Sequence, residues 1–358
     1  MKKTFRIIAI IALLTVVSLP AAQAGNDDRR GTAGALELLI NPWARSAGWG
    51  GVNTACGRGL DAFFTNVAGI TSVSSTEIGY TNSIYAGGRS GLNSGASINS
   101  FGLVQRVFDR GVLGVYVMAM SFGDIDVTTY DSPDAGMNGT FSPTFMNLHI
   151  AYAHAFTQSI KGGAVVKIVS ESTADVTGSG VAFDAGIQYV TGENDELKFG
   201  ISLKNIGFGF SFNGTGLSLT MTNDAGNPMS VEFRSEDQEL PTSFSIGMSY
   251  DFLFEKWNQR LTFAGNFTSM AFSKDLITAG AEYSLLDRVQ LRAGYVYQTS
   301  IFDADARTTF NTGLNVGASF NMPLSKKEGN NNSLTLDYAY QTADRMKGTH
   351  RIGATLSL

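Results

Sequence analysis

From about residue 75 to the C-terminus, apolar and polar residues alternate one by one over unusually long stretches. Val181, Phe183, Ala185, Ile187 and Tyr189 interleave with Ala182, Asp184, Gly186 and Gln188. Phe244, Ile246, Met248 and Tyr250 interleave with Ser245, Gly247, Ser249 and Asp251. Val289, Leu291, Ala293, Tyr295 and Tyr297 follow the same rule, and Ile352, Ala354, Leu356 and Leu358 close the chain on it. A period of two is the mark of a β-strand with unlike faces. The pattern predicts about fourteen strands, over 75–85, 94–107, 111–122, 145–157, 161–171, 179–191, 196–205, 241–253, 259–270, 275–285, 288–299, 308–321, 332–341 and 348–358. Strands of soluble proteins are mostly about 5–6 residues long, whereas a tilted strand crossing a bilayer needs about 9–11. The fold class expected is therefore all-β, a transmembrane antiparallel barrel occupying 75–358. The two early strands, 94–107 and 111–122, alternate poorly.

The connections point the same way. With both ends on one side, one set of turns is mostly short. The opposite set holds the two longest loops, 123–144 and 206–240. Short turns facing long loops are typical of outer-membrane barrels. Pro42, Pro133, Pro143, Pro228 and Pro323 fall outside the expected strands, and Pro241 opens one. A proline inside would remove a ladder hydrogen bond that hydrocarbon cannot replace. Aromatics gather near strand ends: Phe156, Tyr189, Phe252, Phe254, Trp257 and Phe320 on one rim, Tyr85, Phe122, Phe145, Phe272, Tyr297 and Phe310 on the other. Only 16% of residues are charged and 41 are glycine, which suits a wall with small inward residues and an apolar outside.

The start of the chain sets the compartment. Lys2, Lys3 and Arg6 precede an apolar run from Ile7 to Val17, and Ala22-Gln23-Ala24 is a small-x-small cleavage signal. Residues 1–24 read as a secretory signal peptide. Removing those three from 26 basic residues leaves 23 against 31 acidic ones, a formal −8. That balance gives no reason to expect nucleic-acid binding. No apolar run near 18 residues remains, so spanning helices are not expected. A single cysteine, Cys56, excludes a disulfide scaffold. Residues 25–74 do not alternate and are expected to form a plug in the barrel or a periplasmic segment on its rim.

Within that segment Gly34-Ala35-Leu36-Glu37-Leu38-Leu39-Ile40 is followed by Ala44-Arg45-Ser46-Ala47-Gly48-Trp49-Gly50-Gly51. Further on stands Leu60-Asp61-Ala62-Phe63-Phe64-Thr65-Asn66-Val67-Ala68-Gly69-Ile70. These residues resemble the N-terminal signature of the PorV/PorQ family. The usual form has Asn-Pro-Ala-Gly after an aromatic pair, and Val67 stands here in place of the proline. The closing Thr349-His350-Arg351-Ile352 is similar to the family as well. The resemblance implies a FadL-like barrel in the outer membrane of a Gram-negative bacterium. It implies service to the type IX secretion system: binding the translocon barrel or the C-terminal signal domain of cargo, and passing cargo to a surface attachment complex. The barrel is then monomeric within a hetero-complex, touching outer-membrane lipid and lipopolysaccharide. The motif positions carried over are Glu37, Arg45, Gly50, Gly51, Asp61, Asn66, Ala68 and Gly69. Arg45, Asp61 and Asn66 are expected to organise the plug through buried hydrogen bonds and an ion pair. The alternative function is a FadL-like channel for hydrophobic small molecules.

Little points to catalysis. His149 and His154 are five apart on one strand and face opposite ways, His350 is remote, and no Gly-x-Ser-x-Gly elbow occurs. Asp124, Asp126, Asp131 and Asp134 share one loop, and Asp303 and Asp305 another, without EF-hand spacing. No catalytic residue, metal or cofactor is assigned. Loop 206–240 holds two short apolar runs, 217–221 and 229–233, that read as an outward hairpin. Phe208, Phe210, Leu217, Met221, Met229 and Phe233 are the expected partner contacts there.

Overall fold

The computed structural model describes residues 27–85, 96–134, 136–324, 332–344 and 347–358. The signal peptide expected at 1–24 lies outside them, as do most of the connection after the first strand and most of the turn expected at 322–331.

Fourteen strands form one sheet closed on itself. They are β1 (Thr76–Ile84), β2 (Ser97–Arg106), β3 (Gly111–Ser121), β4 (Thr144–Ala155), β5 (Ile160–Thr173), β6 (Val176–Thr191) and β7 (Leu197–Gly207). Then come β8 (Ser243–Phe254), β9 (Gln259–Met270), β10 (Leu276–Leu285), β11 (Val289–Gln298), β12 (Asn311–Pro323), β13 (Ser333–Ala343) and β14 (Thr349–Ser357). Each pairs antiparallel with the next, and β1 pairs with β14 from Glu77↔Ser357 to Ile84↔His350, so no edge is left open. Closure gives every strand a partner on both sides, the condition for crossing hydrocarbon with strands.

The faces are inverted relative to a soluble protein. On β6, Val181, Phe183, Ile187 and Tyr189 are about half exposed, while Ala182, Asp184 and Gln188 are buried. On β11, Leu291 points out and Arg292 in; on β13, Leu336 and Tyr338 point out and Asp337 in. Apolar outside and polar inside is stable only where the outside is lipid. Among the described residues no helix is long and apolar enough to cross a membrane.

Two corrections to the expected strands follow from pairing. The loop expected at 172–178 is strand: β5 and β6 meet at Ala174–Asp175, with Thr173 opposite Val176 and Ala174 at φ 43°. Pro323 is the last residue of β12 rather than outside it. The expected hairpin is present, with 218–222 paired to 228–232. The β6–β7 ladder slips by one residue between Phe183 and Ala185, where Asn205 takes φ 59°.

Among the described residues the segment before β1 holds short helical turns, at Asp27–Arg29, Leu36–Leu39, Ala44–Ala47, Gly59–Asp61, Ala62–Thr65 and Val67–Ser72, and an isolated bridge from Ala33 to Glu239. It begins at the long-loop end. Gly34 N donates to Glu239 O (2.9 Å), and Arg29 pairs with Glu239 and lies 4.4 Å from the Phe272 ring centroid. It finishes at the short-turn end, where Arg106 donates to the carbonyls of Thr71 (3.0 Å) and Val73 (3.1 Å). The segment therefore runs the length of the lumen.

Candidate functional site in the barrel lumen

Glycines of the wall make room for the segment. A Cβ on Gly79 (β1) would lie 2.6 Å from Leu60, one on Gly102 (β2) 2.6 Å from Leu60, and one on Gly114 (β3) 2.5 Å from Phe63. Across the barrel, a Cβ on Gly280 (β10) would meet Val52 at 3.0 Å, and one on Gly317 (β12) would overlap Gly48. On Gly200 (β7) and Gly294 (β11) it would overlap the carbonyl oxygens of Thr54 and Trp49. Contact on opposite walls at once puts residues 43–68 inside the ring of strands.

The first half of the wall receives the segment through apolar packing. Trp43, Leu60, Phe63, Val67 and Ile70 are buried against Ile98 and Val104 of β2, Val112, Tyr116 and Met118 of β3, and Val165 of β5. The second half receives it through charge. Glu282 (β10) accepts from Arg260 (β9) at 2.9 Å and Arg292 (β11) at 2.6 Å. Arg292 donates to Ser319 (β12) at 2.5 Å, and Ser319 donates to Asp337 (β13). Asp337 faces Arg45 of the segment at 3.4 Å, and Arg45 faces Asp61 at 3.4 Å. One polar chain thus crosses five neighbouring strands and ends on two motif residues. Removing one member of such a buried set leaves charges unpaired, at about 3–5 kcal/mol. Arg260 and Arg45 keep some contact with solvent, which lowers that figure. Glu282→Ala is therefore expected to destabilise the barrel by about 3 kcal/mol, read as a lower urea midpoint for loss of the fast-migrating folded band on gels.

Asn66 joins the segment to the wall. Its Nδ2 donates to Thr54 O (3.0 Å), Ile187 O of β6 (2.9 Å) and Ile201 O of β7 (3.2 Å). Its Oδ1 accepts from Ala68 N (3.2 Å) and caps the Val67–Ser72 turn. Val67 occupies the first helical position after this cap, the place that proline favours, and the turn forms with valine there. Gly50 (φ 76°) and Gly51 (φ 72°) end the Ala44–Ala47 turn in the left-handed region that only glycine enters freely. A Cβ on Gly69 would overlap the carbonyl of Gly57; Ala68 is fully buried. Glu37, 3% exposed, receives the Asn147 amide at 3.2 Å once that amide is turned nitrogen-first. Burial, reinforced by the Glu171 carboxylate, raises the Glu37 carboxyl above its ordinary range.

Two of the cavities among the described residues lie on either side of the segment. The outer one, about 310 Å³, lies between Leu39, Ile40, Gly50, Gly51 and Phe64 of the segment and the upper parts of β8–β14. The inner one, about 240 Å³, is lined by Arg45, Cys56, Arg58, Asp61, Lys198, Asp251, Arg260, Glu282 and Arg292. Cys56 packs beside Trp49 and Val52.

Other sequence candidates are scattered. His149 is buried 4.5 Å from the Tyr116 ring, His154 lies by Phe156, and His350 lies by Tyr340. Among the described residues no three metal-binding side chains come together. Of the loop residues, Phe208 is 85% exposed and Met221, Met229 and Phe233 about half exposed, with Leu217 less so. Phe210 differs: it is buried with Ala35, Leu38 and Leu240, so it anchors the loop over the segment instead of facing outward. Sequence reading missed Arg260, Glu282, Arg292, Ser319 and Asp337. The available signal was charge on the inward parity of long strands.

No protein-family model matches the chain. No curated protein matches it either. Solved structures do. The monoaromatic hydrocarbon channel CymD is 15% identical, over 89% of this chain and 97% of that one, with a TM-score of 0.55. The Pseudomonas putida toluene transporter TodX is 13% identical over 88% and 97%, with a TM-score of 0.52. A Pseudomonas aeruginosa FadL homologue is 12% identical over 88% and 98%, at 0.51. The chain has the FadL-type fold. A FadL-type barrel with this lipid-facing exterior is a Gram-negative outer-membrane barrel.

Proposed function

We propose that this FadL-type barrel is an outer-membrane channel that takes small hydrophobic molecules from outside into its outer cavity. The observation that carries the reading is that cavity. It is about 310 Å³, the lower end of the size range of small-molecule sites, and Leu39, Ile40 and Phe64 give it an apolar floor. The comparison structures in this fold include a hydrocarbon channel and a toluene transporter, which supports the same reading. Passage inward requires the segment to shift, because it separates the two cavities. Cells carrying the barrel are expected to take up radiolabelled toluene at low concentration several-fold faster than cells lacking it. Equal rates would contradict the reading.

A second reading has its own support. The 208–242 connection presents a hairpin whose Leu219, Met221 and Met229 are about half exposed, and the motif at 34–70 resembles the PorV/PorQ family. In this reading the barrel is a type IX secretion accessory that binds the translocon barrel or cargo signal domains. Affinity purification from outer membranes separates the two. Recovery of a giant barrel or signal-domain cargo favours secretion, and recovery of monomer with a small apolar ligand favours the channel.

A further inference from the structure

The outer cavity is lined by charge of one sign. Lys204, Lys274 and Arg351 border it, and among the described residues no aspartate or glutamate does. Arg351 is 3% exposed. Its Nε donates to Asn41 O (2.9 Å) and one Nη to Gln341 Oε1 (3.2 Å), while Nη1 has no hydrogen-bond partner among the described residues. Lys204 donates to Phe64 O (3.1 Å) and lies 4.3 Å from the centre of the Phe64 ring. Neither forms a salt bridge among the described residues. The inner cavity is built otherwise: Arg45, Arg260, Arg292 and Lys198 each face a carboxylate. Burying a cation without a counter-charge is unfavourable, and an anion held in the cavity beside the Arg351 guanidinium relieves it. The wall opposite the apolar floor adds hydroxyl and amide groups, among them Thr268 and Asn266.

We propose that the outer cavity binds a compact organic anion, a small ring bearing a carboxylate, with the charge on Arg351 and the ring over Ile40 and Phe64. This rests on the channel reading and adds to its apolar solutes an anionic derivative that binds more tightly.

The test uses the full chain purified in detergent, titrated calorimetrically at pH 7 with benzoate, benzyl alcohol and benzylamine. These are ring compounds of similar size with charges of −1, 0 and +1. Benzoate is expected to bind at least about tenfold tighter than benzyl alcohol, the ratio that one charge-assisted hydrogen bond supplies. Benzylamine is expected to bind weakest. Arg351→Gln should remove the preference for benzoate, Arg351→Lys should restore part of it, and Lys204→Gln should reduce it with Arg351 intact. Equal binding of benzoate and benzyl alcohol would overturn the anion site and leave the channel reading standing. An unchanged benzoate affinity in Arg351→Gln, or no benzoate binding at all, would also overturn it; toluene uptake then decides the channel reading separately.

Discussion

Gly294→Val is expected to drive the N-terminal segment out of its seat and turn a closed barrel into a conducting one. Gly294 lies on β11 with its Cα against Trp49, and a Cβ there would overlap the Trp49 carbonyl oxygen. Both sides of the clash are backbone. The wall side is fixed by a continuous ladder to β10 and β12, so the segment must yield. Overpacking ordinarily costs about 1–3 kcal/mol, and two backbones in conflict put this site at the upper end. About 3 kcal/mol is a factor of more than 100 in occupancy. In planar bilayers the parent chain should stay closed to small ions, and Gly294→Val should show open events. Leu291→Val, on the lipid face three residues away, should behave as the parent. A closed Gly294→Val barrel would show that the lumen is blocked by something other than the segment.

The second large effect concerns Asn66. If the residue served only as a helix cap, Asn66→Asp would be tolerated, since aspartate caps as well as asparagine. The structure gives it a further task, because Nδ2 donates to three carbonyls, two of them on adjacent wall strands. Aspartate keeps the cap and sets an acceptor against those carbonyls. Asn66→Ala loses about 1 kcal/mol for the cap and about 1–3 kcal/mol for the buried partners. Asn66→Asp should therefore be at least as damaging as Asn66→Ala. Limited proteolysis of the segment in purified barrels measures this, with both variants cleaved faster than the parent. Asp at parent level would reduce Asn66 to a cap.

The barrel was legible in the sequence because lipid imposes a clean period of two on every outward face. All fourteen strands fall where the alternation lies, mostly within three residues. The failures have physical causes. Residues 172–178, Ser-Thr-Ala-Asp-Val-Thr-Gly, are mostly small and polar and look like a loop, yet Ser172 pairs with Thr177 in a two-strand extension beyond the main wall. β2 and β3 alternate poorly because Ile98, Val104, Val112 and Met118 face inward onto Trp43, Leu60 and Phe63, so both faces are apolar. The motif residues Arg45, Asp61 and Asn66 stood out through the PorV/PorQ resemblance. Their wall partners did not: Asp337 and Glu282 are lone acids on separate strands, and only the register brings them to Arg45 and Arg292. The glycine content has a more specific cause than small inward residues in general, since glycines on opposite walls leave the width of a backbone for Trp49 and Thr54.

The central claim is that residues 43–68 lie against the wall inside the lumen. A cross-link tests it most directly. A Cβ on Gly353 of β14 would lie 3.6 Å from Cβ of Ala44, within the span a disulfide bridges. In a Cys56→Ala background, Ala44→Cys with Gly353→Cys should oxidise to a single intramolecular disulfide in folded barrels, seen as one linked peptide by mass spectrometry. Two free thiols after oxidation, both open to a water-soluble maleimide, would place the segment outside the barrel and contradict the claim.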